Sequence, residues 1–142
     1  MRSINLRLAS QKDAAAFQDR AERLRRGRAA AQPLREVSRS VMYVAVRLRF
    51  LADEGQSHAD QSFVLYPAAR AYFGFPCPFG DCNGIFDLTD AAESTLQHSP
   101  HPATGTLECS GVRSRHRAPG QPCGLRLSYT VTAEHCVQEG RR

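Results

Sequence analysis

The chain has 142 residues, 42% of them hydrophobic, with 19 basic side chains against 14 acidic ones and a net charge of +5. Its length suits one domain, but only 29 residues are Leu, Ile, Val or Phe, near the limit below which burial no longer offsets the entropy of ordering. The longest strongly apolar run, residues 41–46, is far short of the roughly 20 residues of a membrane-spanning helix, and Arg2, Arg7, Lys12 and Asp13 interrupt residues 1–16 where a secretion signal needs about 7–15 apolar residues in a row. The expectation is a cytoplasmic protein with no membrane partner.

Residues 3–8 alternate Ile4, Leu6 and Leu8 with polar side chains, which suits a short strand. A helix is expected from Ser10, a good N-cap, with Asp13 in its first turn and Pro33 as its stop. Its apolar stripe, Ala14, Phe17, Ala21 and Leu24, is narrow. The rest of its surface carries Arg20, Arg23, Arg25, Arg26 and Arg28. Such a helix docks weakly or projects, so residues 1–38 read as a strand and basic helical arm ahead of a β-rich unit at 39–142.

Residues 41–50 form the first clear strand, with Met42, Val44, Val46, Leu48 and Phe50 on one face and Arg47 and Arg49 on the other. Asp53-Glu54-Gly55 reads as a hairpin turn returning through residues 62–66, where Pro67 ends the strand. A bridging segment with Tyr66, Tyr72, Phe73 and Phe75 leads to Cys77. Residues 85–88 form a short strand, and Asp90 with Glu93 resembles a capping box that starts a helix to about Gln97. After a loop at 98–105, residues 106–109 give another strand and residues 111–121 a basic loop. Leu125, Leu127, Tyr129, Val131 and Ala133 then alternate with polar residues, the pattern of a half-buried strand. The fold class is α+β, with an antiparallel sheet of about four or five strands.

Cys77, Cys82, Cys109 and Cys123 stand beside Pro, Gly and Asn in turns rather than on apolar faces. In a chain without a secretion signal, cysteines so placed point to a metal more than to disulfides. Cys77-Pro-Phe-Gly-Asp-Cys82-Asn-Gly84 has the four-residue spacing of a metal knuckle. Cys109 and Cys123 have 13 residues between them, and they converge if residues 106–109 pair antiparallel with 125–133 and the basic loop is an excursion between the two. His116 or Cys136 could take the place of one cysteine, and buried free thiols are the plain alternative.

Across about residues 75–134, this order of knuckle, strand, long connection, second cysteine pair and strand resembles a zinc ribbon. The resemblance implies zinc as cofactor, a closed structural site with Cys77, Cys82, Cys109 and Cys123 as ligands, and a module acting by contact with nucleic acid or a protein. It departs at the second pair, where such folds usually show two intervening residues.

A zinc-dependent hydrolase of deaminase type is the alternative. His58-Ala59-Asp60 followed by Pro76-Cys77 and Cys82 resembles the deaminase order of a zinc-binding histidine, an acid and two cysteines. Asp60 stands where those enzymes have Glu, and Pro78 and Gly80 oppose the helix that carries their cysteine pair. Arg35 and Arg39 with Asp60 and Ser62 also resemble part of the PilZ cyclic-dinucleotide motif, with Leu65 in place of its glycine. No nucleophile–base pairing stands out, and the reading leans away from an enzyme.

Charge is unevenly spread: residues 1–49 hold 12 basic and 4 acidic groups, residues 50–105 hold 1 and 7, and residues 106–142 hold 6 and 3. Arg23, Arg25, Arg26 and Arg28 on the helix, with Arg113, Arg115 and Arg117 in the loop, offer contacts to nucleic-acid phosphates. The alternation of basic and acidic stretches suits a protein partner or self-association equally well.

Overall fold

A computed structural model describes the backbone of residues 2–51, 57–98, 101–113 and 122–136, with side chains from residue 14 onward except at 57, 58 and 98. The chain is α+β. Its elements run α1 (Arg2–Ala30), α2 (Leu34–Val37), β1 (Val41–Leu51), β2 (Ser57–Leu65), β3 (Gly74–Pro76), β4 (Ile85–Asp87), α3 (Thr89–His98), β5 (Ala103–Glu108) and β6 (Arg126–His135).

Four strands make one antiparallel sheet in the order β2-β1-β6-β5, and β3 and β4 pair separately as a small antiparallel ribbon. The period-2 patterns of β1 and β6 explain why these two are central. Val44, Val46, Leu48 and Phe50 from β1 meet Leu127, Val131 and Ala133 from β6 on one buried face, while Arg47 and Arg49 remain on the exposed one. Phe73, Phe75, Phe86, Leu88, Ala92 and Leu96 complete the core over that face, with the Phe50 and Phe86 rings 5.6 Å apart. Leu34 of α2 is fully buried, and its turn is strapped to residues 67–71 by bonds from the Leu34 N–H to the Ala69 carbonyl (2.8 Å) and from the Ala71 N–H to the Gln32 carbonyl (2.7 Å).

Several sequence expectations are corrected. Residues 3–8 are helical rather than extended, because α1 begins at Arg2; alternation alone does not make a strand without a neighbouring one to pair with. The narrow apolar stripe of α1 docks weakly, as expected. Phe17 is 57% exposed, Ala14 and Ala21 are exposed, and of the four only Leu24 is buried. Met42 lies outside the core at 52% exposure while Val41 lies inside, because a register shift between Val41 and Tyr43 moves the start of β1 to the other face. Strand β2 begins at Ser57 rather than at residue 62. Helix α3 begins at Thr89, ahead of the capping box at Asp90: Asp87 Oδ1 accepts from both the N–H (2.9 Å) and the hydroxyl (2.5 Å) of Thr89. The Asp53-Glu54-Gly55 turn and most of the basic loop lie outside the described residues. No described helix is long and apolar enough to cross a membrane.

Candidate metal centre

The small β3–β4 ribbon and the β5–β6 hairpin each deliver one half of a cysteine cluster. Cys77 follows β3 directly, and residues 77–84 form a closed turn in which the Cys77 N–H bonds the Gly84 carbonyl (3.0 Å) and the Cys82 N–H the Phe79 carbonyl (3.2 Å). On the other side, β5 pairs antiparallel with β6 and carries Cys109 one residue past its end. There the Cys109 N–H bonds the Leu125 carbonyl (2.8 Å), the Gly124 N–H the Cys109 carbonyl (3.2 Å) and the Cys123 N–H the Gly111 carbonyl (2.7 Å). Gly124 has φ of 72°, a left-handed conformation that favours glycine. The antiparallel pairing expected for this hairpin is therefore present, and it brings residues 109 and 123 together across their long sequence separation.

The four sulfur atoms lie within 4.8 Å of one another. Cys82 and Cys109 are 3.6 Å apart and Cys77 and Cys123 are 4.0 Å apart, Sγ to Sγ, and all four are free thiols. Four sulfurs at about 2.3 Å from a tetrahedral metal would be about 3.8 Å apart, so this set fits such an ion and could hold one. Cys77, Cys82 and Cys109 are almost fully buried at 1%, 0% and 3% exposure, and Cys123 is half-buried.

The Gly84 N–H donates to the Cys82 sulfur at 3.3 Å, and the backbone at Phe79, Gly111 and Leu125 acts to lower the pKa of Cys77, Cys109 and Cys123. Such donors favour the thiolate form. Cys82 is the most strongly ionised member: hydrogen bonds from the Cys109 and Cys77 thiols, aided by the Gly84 N–H, bring its pKa down to about 2. The Cys77 thiol is held high by its bonds to Cys109 and Cys82 and by burial. Cys109 is favoured as thiolate by Cys77, but its bond to Cys82 and its burial outweigh this and push it up to about 12. Burial pushes Cys123 up as well. One sulfur of the four is thus favoured as thiolate, while the other three are held towards the thiol form.

The two halves pack glycine against glycine. A Cβ on Gly111 would lie 2.4 Å from Gly84 N and 2.5 Å from its Cα, and one on Gly84 would lie 2.3 Å from the Cys109 sulfur. Around this contact, the Val112 N–H donates to Asn83 Oδ1 (2.9 Å), and Arg113 Nε bonds the buried Asp81 carboxylate at 3.0 and 3.2 Å while its guanidinium lies over the Phe79 ring at 3.9 Å.

Helix α1 crosses the first turn. Arg20, only 6% exposed, donates through Nη1 to the carbonyls of Cys77 (2.8 Å), Phe79 (3.0 Å) and Cys82 (2.8 Å), and Arg23 donates to the Asn83 carbonyl. In the sequence Arg20 falls outside the apolar stripe of α1. Its signal was a seam rather than a stripe: Arg20, Leu24, Gly27 and Ala31 follow i, i+4, i+7 and i+11 spacing, and Tyr72 lies close against Gly27 while Arg70 bonds the Ala31 carbonyl (2.9 Å).

The other residues singled out from sequence are scattered. Cys136, exposed, follows β6 with its N–H on the Ser40 carbonyl, roughly 30 Å of strand away from the cluster. His58 falls at the register shift between β1 and β2, and its side chain, like His116, Arg115 and Arg117, is outside the described residues. Arg23 pairs with Asp19, and Arg25 and Arg26 share Glu22. Comparison of the chain with protein-family models, with curated proteins and with solved structures returned no match.

Proposed function

We propose that Cys77, Cys82, Cys109 and Cys123 bind one zinc ion with a structural role, and that the chain is a small binding module in the manner of a zinc ribbon. The observation that carries this reading is the sulfur geometry: four thiols from two turns, with spacings of 3.6 and 4.0 Å that bracket a tetrahedral edge. The Gly84 N–H on the Cys82 sulfur supports it, because the ligand form is the thiolate. Zinc, with no geometric demand beyond four soft donors, suits an all-sulfur tetrahedral set. A hydrolytic zinc site keeps one position for water and uses three protein ligands, whereas this set supplies four. The module's role is then contact, with nucleic acid or a protein partner, through the arginines of α1 and Arg113, Arg115 and Arg117.

Native mass spectrometry of protein purified under reducing conditions, with circular dichroism before and after chelation, tests the reading. One zinc per chain, with loss of β-structure on chelation, is the expected result. A metal-free chain whose spectrum ignores the chelator would refute it.

A further inference from the structure

Arg20 is a charged side chain taken almost out of water, and each of its three hydrogen bonds ends on a neutral peptide carbonyl. Two of those carbonyls belong to Cys77 and Cys82, and the third to Phe79 between them. They converge on one guanidinium nitrogen only while residues 77–82 are folded as a knuckle. The burial of a cation is expensive unless negative charge is near, and four thiolates around a divalent ion carry about −2 in total. The helix and the cysteine turn thus meet at a place where metal supplies both the loop conformation and the charge.

We propose that Arg20 makes docking of helix α1 depend on metal in the four-cysteine site, so that metal loss releases the basic helix from the knuckle. This rests on the zinc reading above. The contact is local: Gly27 against Tyr72 and the Ala31 carbonyl bonded by Arg70 tether the C-terminal end of α1, and Leu24 is buried, whereas every described side chain from Ala14 to Asp19 is exposed or only partly covered. Loss of the Arg20 contact alone, with the knuckle still folded, therefore frees the helix up to about Leu24. Because linkage is reciprocal, a helix that cannot dock should also weaken metal binding.

Amide hydrogen exchange on the full chain, with free zinc set by a metal buffer, tests this together with zinc affinity by chelator competition. In the zinc-loaded protein, amides of residues 16–24 should be protected. In zinc-loaded Arg20→Gln they should exchange about tenfold faster or more while β6 amides stay protected, and zinc affinity should fall by a similar factor. Arg20→Lys, which keeps the charge but not the fork of donors, should fall between the two. Arg25→Gln, an exposed residue paired with Glu22, should change neither readout. Arg20→Gln with wild-type exchange and affinity, at one zinc per chain, would overturn the inference and leave the zinc reading standing. Loss of β6 protection in both Arg20 variants would overturn it too, by making Arg20 a general folding residue. Failure to take up zinc at all would overturn both.

Discussion

Two glycines in the same site should respond to alanine in opposite directions. At Gly111 a methyl group would sit 2.4 and 2.5 Å from backbone atoms of Gly84 and 2.9 Å from the Cys82 sulfur. None of these is the far end of a flexible side chain, so the two cysteine turns must move apart. Forced overpacking of this kind costs about 1–3 kcal/mol, and here the displacement is along the direction that separates Cys82 from Cys109. Converted at about 1.4 kcal/mol per tenfold, Gly111→Ala should weaken metal binding by roughly 5- to 150-fold. At Gly80 a methyl group meets nothing within 4 Å, so Gly80→Ala should be neutral or stabilise by about 0.4–1 kcal/mol through the unfolded chain. Urea unfolding at a buffered free-metal concentration, since bound ligand itself shifts the midpoint, and chelator competition give the two numbers. Wild-type affinity in Gly111→Ala, or equal damage from Gly80→Ala, would refute the close contact of the two turns.

Further expectations concern the ligands, the protons and the core. Cys82→Ser should lose metal and unfold the sheet domain, while Cys136→Ser, exposed at the far end of β6, should stay within about 0.5 kcal/mol of wild type in urea unfolding. Because Cys77, Cys109 and Cys123 are raised and Cys82 is depressed to about 2, uptake of a divalent ion near neutral pH should release about three protons. Affinity should therefore fall as pH falls; indicator-monitored titration in weak buffer measures the stoichiometry, and release of one proton or none would contradict the assignment. Leu127→Ala, at a fully buried position in a central strand, should cost about 2–5 kcal/mol, read from the urea midpoint at fixed metal.

The sheet was legible because its central strands carry strong patterns. The alternation from Leu125 to Ala133 and the run through Val44, Val46, Leu48 and Phe50 state which face is buried, and the turns around Cys77–Cys82 and Cys109–Cys123 state where sulfurs can converge. Single-residue register was not legible: the shift that turns Met42 outward has no composition signature at that position. The docked face of α1 was misread because apolar spacing was weighed and polar docking was not. A buried arginine held by carbonyls of a distant loop leaves no local trace beyond its spacing from Leu24 and Gly27. The need for small residues at 84 and 111 likewise arises only when two segments 27 residues apart in sequence are brought into contact.

Zinc-edge X-ray absorption on the reduced, as-purified protein tests the central claim most directly. The account predicts four sulfur scatterers at about 2.3 Å and no oxygen or nitrogen in the coordination sphere. Three sulfurs with a light-atom ligand would contradict it, pointing instead to an open site with one of the four cysteines outside the coordination shell.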